Sequence, residues 1–315
     1  MGKTEQDVPT NAVCALFPLA IWMSVVRSNM SESCLFLPRL PLLPLPPLPQ
    51  KMLPSLESIL YDRIQLALEA SNYPLLDIPI KRDTNAMEVQ YRSAIAFKLS
   101  PQLDLPPLEI ARTLAFLLQE MTGENLKWGN LQFQVTVSPP GWLDFRIVDG
   151  GLADWLQQLV ADNLPPFRTS TVRAGKSPFF LQYTHARCCG LLRSAEREGL
   201  LSLNALDITT PDPIPWLHES DRILRLQHPA ERQLIAQWVA IVDTYDRSKS
   251  PDIFGLAERL SQRFETFDRQ CRIFGAVARE TPHLAIGRAG LVSGTQKILN
   301  SLLIRGLGLV SPWEL

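Results

Sequence analysis

Between residues 56 and 70 apolar side chains recur at Leu56, Ile59, Leu60, Ile64, Leu66 and Ala67, the spacing of one helical face, and Ser55 stands where an N-cap belongs. Pro74 and Pro79 then force an extended stretch, with the first strand expected over residues 75–80. Two more helices are predicted over 87–99 and 107–122, the second opened by Pro107, a residue suited to a first helical turn. From 131 to 137 the pattern changes to strict alternation, with Phe133, Val135 and Val137 on one face. A returning strand over 143–148 is expected across the turn Pro139-Pro140-Gly141. A helix over 151–161 closes this half.

Beyond residue 178 the helical period dominates. Segments over 179–198, 229–245, 253–280 and 285–307 are punctuated by Pro211, Pro213, Pro215, Pro251 and Pro282, the pattern of a helical bundle. Leu164 to Ser177, which contains Pro165, Pro166 and Gly175, reads as a linker. The opening residues differ from both halves. An apolar run from Ala12 to Val26 is interrupted by Pro18 and followed by Pro38, Pro41, Pro44, Pro46, Pro47 and Pro49. That run is shorter than the ~20 residues of a spanning helix and has no signal-peptide form. Residues 1–51 are therefore expected to be a disordered, extended leader, or the product of a start assigned upstream of Met52; a transit or anchor segment is the alternative. The expected organisation is α+β: a leader over 1–51, a small α/β module over 52–163, a linker over 164–177 and an all-α bundle over 178–315.

A net charge of −1 removes bulk electrostatics as a way of holding nucleic acid. The charges are unevenly spread, however: residues 52–166 carry 8 basic and 14 acidic side chains, and residues 171–315 carry 18 and 15. RNA affinity is expected in the second half. Five scattered cysteines, with Cys188 and Cys189 adjacent, make no disulfide framework and fit a reducing, cytoplasmic compartment, an organelle being implied only if the leader is a transit segment. Ala174-Gly175-Lys176-Ser177 ends like a phosphate-binding loop, but Ser170 occupies the position of its first glycine. Arg305-Gly306-Leu307-Gly308 reads as a helix end rather than a dinucleotide site. His185 and Cys189 share a helical face, yet no second close pair completes a metal site, and structural packing is the expected role. No catalytic residue, cofactor or metal is predicted.

Two runs carry a resemblance. Val137-Ser138-Pro139-Pro140-Gly141-Trp142-Leu143-Asp144-Phe145-Arg146-Ile147 is similar to the N-terminal additional domain of arginyl-tRNA synthetases, whose turn and strand read Ala-Gly-Pro-Gly-Phe-Ile-Asn-Phe. Residues 89–99 resemble the helix that follows that domain's first strand. Phe180-Leu181-Gln182-Tyr183-Thr184-His185-Ala186-Arg187 resembles the Tyr-Val-Gln-Tyr-Ala-His-Ala-Arg helix opening the same family's DALR-type anticodon-binding bundle. Residues 228–235, 256–264, Phe267, Cys271 and the helix from Arg288 to Leu309 follow in the family's order. Neither the His-Ile-Gly-His nor the Lys-Met-Ser-Lys-Ser signature of a class I synthetase occurs, and about fifteen residues separate the two blocks, too few for a nucleotide-binding domain. The expectation is that the chain is not an enzyme.

The resemblance implies RNA-contacting candidates at Trp142, Asp144, Phe180, Gln182, Tyr183 and Arg187. In the family the turn's aromatic stacks on a base of the tRNA D-loop while the Asn reads its edge. Trp142 keeps a stacking face, although filling the core is the competing role, and Asp144 replaces the amide with a negative charge. Where the family reads Phe-Asn-x-Phe-Tyr-x-x-Cys, this chain has Glu265 and Asp268 in place of the amide and the hydroxyl. Phe264, Phe267 and Cys271 fall at core spacing. The chain also lacks the family's closing Met. Arg259, Arg263, Arg269 and Arg272 recur at helical spacing and could meet phosphates. The expected function is a non-catalytic tRNA-binding module or accessory subunit, with an arginine tRNA as partner, delivered to a modifying enzyme. The alternative is a protein-interaction or assembly scaffold on the same fold that has lost RNA binding, as Asp144, Glu265 and Asp268 suggest.

Overall fold

Gly141 makes the tight reversal that the alternating pattern requires: its N–H donates to the Ser138 carbonyl at 3.0 Å. A Cβ on it would lie 2.7–2.9 Å from Pro107, so helix and turn meet closely only because the residue is glycine. The reversal joins β3 (Phe133–Ser138) to β4 (Trp142–Ile147) in the register Ser138↔Trp142, Val135↔Phe145. The computed structural model describes residues 54–83, 87–121, 131–161, 177–247 and 251–315. The expected leader, and the expected linker apart from Ser177, lie outside these residues.

Two further strands, β1 (Ile80–Arg82) and β2 (Gln90–Ser93), complete an antiparallel sheet of order β1-β2-β4-β3. Here the structure corrects two expectations. The strand predicted over 75–80 begins only at Ile80, because Pro74 and Pro79 have no N–H to give a ladder. The helix predicted over 87–99 is instead β2 followed by α2 (Ile95–Leu103). Tyr91, Ile95 and Leu99 are spaced four apart and imitate a helical face, whereas the buried Tyr91 and Ser93 alternate with exposed Arg92 around the centre of the sheet. Tertiary pairing on both sides overrides the local period. The helices α1 (Leu56–Ala70), α2 and α3 (Pro107–Glu120) pack on the sheet face that carries Tyr91, Leu143 and Phe145. The Ser55 side chain accepts from Ser58 N at 2.9 Å and caps α1 as expected.

The module closes with α4 (Asp149–Ala161), and the second half opens with α5 (Phe179–Arg197), followed by α6 (Pro229–Arg247) and α7 (Ile253–Gln270). The predicted helix over 253–280 breaks at Cys271, and Gly275, with φ +74°, starts the short α8 (Ala276–Glu280). After α9 (Pro282–Ser301) the chain widens into a π-helical turn, Leu302–Gly306. One hairpin lies outside the sequence-based expectation: β5 (Ser202–Asn204) and β6 (Asp207–Thr210). Its turn, Ala205-Leu206, places Ala205 at φ +58° without the Asn-Gly signal that marks such turns in a sequence. The fold is thus an α+β module followed by a helical bundle. No helix among the described residues is long and apolar enough to cross a membrane.

Module and bundle lie in one compact unit, and a single apolar core runs through both. Polar groups fix the contact. Tyr91 Oη donates to Asp243 Oδ2 at 2.7 Å, Arg82 approaches the same oxygen at 3.7 Å, and Ser55 Oγ donates to Asp246 at 2.7 Å. Burial pushes the Asp243 carboxyl up to about 7 against the opposing hydrogen bonds, and Tyr91 is raised well above its ordinary value, again chiefly by burial. At the other end Asp149 receives Arg232 through two bonds of 2.9 and 3.1 Å and the Leu224 N–H at 2.9 Å. Inside the bundle, Arg288 Nε meets the buried Glu231 at 2.6 Å. Gly290 and Gly294 of α9 let the indoles of Trp216 and Trp238 lie against the helix backbone.

A methyl group at Gly294 would overlap the Trp238 ring, so Gly294→Ala is expected to destabilise the protein by about 1–3 kcal/mol in urea titration. A Cβ at Gly190 within α5 would meet nothing within 4 Å, and Gly190→Ala is expected to stabilise by about 0.5–1 kcal/mol. Equal effects at the two sites would contradict this packing. For Asp243 the folded pKa, about 7, lies above the unfolded value of about 3.9. The folded state therefore holds the extra proton between these values, and stability is lost as pH rises through them. Asp243→Asn should remove that loss, up to about 1.4 kcal/mol per pH unit, so that variant and parent diverge between about pH 4 and 7. Parallel stability curves would refute it.

Candidate nucleic-acid interface

The open face of the sheet holds the first group of candidates. Along β4, Leu143, Phe145 and Ile147 turn inward, which places Trp142, Asp144 and Arg146 on the other side. The Trp142 ring is half-buried. Phe97 meets it edge-on, with centroids 5.0 Å apart and planes at 60°. The Arg92 guanidinium lies 5.6 Å from its centroid. That guanidinium is held in turn by Asp144, whose Oδ1 accepts from Arg92 Nε at 2.5 Å while Oδ2 accepts from Ser138 Oγ at 2.5 Å. The hydrogen bond and charge of Asp144 raise the Arg92 pKa. Asp144 is therefore not a bare negative charge on this face but the anchor of a cation stacked beside an aromatic ring. Arg92 was missed in the sequence; read as the β2 residue opposite Asp144, it would have been found.

The second group lies on α5 and α7, which pack together. Phe180 is half-buried, and Gln182 donates its amide to the Val310 carbonyl at 2.9 Å, a structural tether for the C-terminal tail. Tyr183 is 50% exposed and stacks on exposed Phe179 at 6.3 Å and 23°. Arg187 binds Asp268 through contacts of 2.9 and 3.4 Å. Arg269 bonds Glu265 one turn away at 2.5 Å. Arg259 and Arg263 are exposed one turn apart on α7, Arg263 reaching Gln233 at 2.7 Å. Arg272 is exposed just beyond the helix, its carbonyl accepting from Arg288 at 2.6 Å. The structure thus gathers Tyr183, Arg187 and the α7 arginines on neighbouring helices, and sets Trp142 and Asp144 apart on the sheet. Glu265 and Asp268 each hold an arginine. Such exposed pairs are worth only about 0–1 kcal/mol, so a phosphate can exchange for the carboxylate at small cost.

His185 and the three described cysteines are committed to packing. Buried His185 donates from Nδ1 to the Pro312 carbonyl at 2.8 Å and accepts at Nε2 from the Gln296 amide at 2.9 Å. Burial lowers its pKa, consistent with the neutral tautomer those partners require. Among the described residues Cys188, Cys189 and Cys271 are buried free thiols, and burial raises Cys189 to about 11 and Cys271 to about 12. Among the described residues no three His, Cys, Asp or Glu side chains are grouped to hold a metal ion.

No family model matches the chain, and no solved structure matches it. Curated proteins do. The chain is 32% identical over 138 residues to an arginine–tRNA ligase of Synechococcus sp. (strain JA-3-3Ab), covering 42% of this chain and 21% of that protein. It is 32% identical over 134 residues to the arginine–tRNA ligase of Gloeobacter violaceus, 40% and 20% of the two lengths, and 31% identical over 133 residues to that of Haloquadratum walsbyi. The chain thus spans about a fifth of the length of these relatives, 20–21%. One expectation is corrected by this comparison: the statement that the chain is not an enzyme does not stand, because the proteins it matches are named as ligases. Over some 40% of its length, this chain is similar to arginine–tRNA ligases.

Proposed function

We propose that this chain binds tRNA in the cytoplasm, with an arginine tRNA as its preferred partner, and that the helical region from α5 onward is a DALR-type anticodon-binding bundle. The observation that carries the reading is the similarity to proteins named as arginine–tRNA ligases. The geometry supports it in one specific way. The acids that would repel RNA, Asp144, Glu265 and Asp268, are each bound to an arginine: Arg92, Arg269 and Arg187. What remains outward on α7 are the exposed Arg259 and Arg263.

In this reading Arg259, Arg263, Arg269 and Arg272 meet phosphates, which position the RNA without reading its sequence. Tyr183 offers a half-exposed ring beside Arg187, with Phe180 and Gln182 holding the helix and tail that present it. Trp142 offers a second platform on the sheet, where an incoming base must exchange with Arg92 while Asp144 retains the cation. The exchange reduces the net gain from stacking there.

Binding by this interface falls steeply with salt, because each neutralised phosphate releases counterions. The double reversal Arg259→Glu/Arg263→Glu is expected to weaken binding and to reduce the salt slope by about 2. Trp142→Ala is expected to cost about 1 kcal/mol, the low end for a stacked base. The measurement is a titration of purified arginine tRNA and an unrelated tRNA at two salt concentrations. Equal, weak binding of both, indifferent to these substitutions, would overturn the proposal in favour of a protein partner.

A further inference from the structure

We infer that the cleft beside the π-helical turn is a pocket for one unpaired nucleotide of single-stranded RNA, its base stacked on Trp313 and its phosphate on Arg305. The inference rests on the tRNA reading for the class of macromolecule, and it assigns a contact distinct from the α7 edge and the Trp142 face. The cleft has a volume of about 400 Å³ and lies where the end of α9, the tip of the β5–β6 hairpin and the C-terminal tail converge. That is room for a base and its sugar, not for a duplex.

Each wall supplies something a nucleotide uses. Trp313 keeps 56% of its surface exposed although its backbone is fixed, its carbonyl accepting from Arg193 at 3.4 and 3.5 Å. The ring is an exposed aromatic plane on an anchored backbone, the condition for stacking at low entropic cost. Arg305 is exposed and has no hydrogen bond or ion pair among the described residues. Lys297 adds a second positive charge, offset by Asp207 at 2.7 Å, an acid that is itself two-thirds exposed. Asn300 accepts from Ser311 Oγ at 2.6 Å with its side-chain carbonyl, leaving its amide N–H groups to donate.

Ser301 lines the same wall at the last residue of α9, where the helix widens into the Leu302–Gly306 π-turn, and π-turns concentrate at functional sites. A free arginine, an aromatic plane and an amide donor around one cleft fit a base with its phosphate. An acidic peptide would use the cations but leave the indole and the amide without a role.

The test uses the full chain and a 5′-labelled uridine heptamer, followed by fluorescence anisotropy. Trp313→Ala and Arg305→Ala are each expected to weaken heptamer binding about tenfold. Both residues are exposed, so the fold should survive their loss. Ultraviolet cross-linking should place the heptamer on the peptide containing Trp313. If tRNA binds through the α7 arginines but the heptamer does not bind, or binds indifferently to Trp313 and Arg305, the inference falls and the tRNA reading stands. If neither RNA binds, both fall. Displacement of the heptamer by an equal concentration of oligoglutamate, with the same dependence on Trp313, would overturn the assignment to a nucleotide.

Discussion

The carboxyl of Asp243 is the constraint on which the arrangement of this protein depends. It projects from α6 into the seam between sheet and bundle, 5% exposed, and burying such a group costs several kcal/mol unless partners meet it. Tyr91 of β2, Arg82 of β1 and the Glu57 N–H at the start of α1 all converge there. Three elements of the module thus share one acceptor on the bundle. Because a displaced module would leave that acceptor unmatched, the contact specifies a relative placement rather than mere adhesion. The open sheet face and the α7 edge consequently keep a constant relation to each other, which two surfaces addressing one RNA would need.

Charge on this molecule is decided by pairing more than by composition. Asp144, Glu265 and Asp268 count as acids in the sequence, yet each is bound to an arginine that would otherwise have counted as a free base. The balance at any point on the surface is set by which residues lack such partners. Arg305 beside Trp313 is one of them, and the sequence lends it no prominence, since it sits in a short Arg-Gly-Leu-Gly run that reads as a helix end.

Much of the fold was legible because it is local. The Phe133, Val135, Val137 alternation and the turn at Gly141 gave the hairpin, and the helical period with Ser55 as cap gave α1. What was not legible depends on residues far apart in the chain. The strand character of Tyr91 comes from pairing with both Arg82 and Phe145, while its spacing to Ile95 and Leu99 suggests a helix. The same distance hides the candidate site: Arg92 finds Asp144 across 52 positions, and Arg187 finds Asp268 across 81. The docking of the tail onto Gln182 and His185 is longer in range still, and nothing in the local pattern announces it.

The glycines of α9 have a bearing on how the chain folds. A helix containing Gly287, Gly290 and Gly294, with Ser293 and Thr295 on either side of the last, has little tendency to form by itself, since each glycine costs roughly 1 kcal/mol relative to alanine. Its order comes from the Trp216 and Trp238 rings that those missing side chains admit. The central helix of the bundle is therefore a dependent element: its local sequence supplies little helix stability, and packing against the tryptophans of other segments supplies much of the rest.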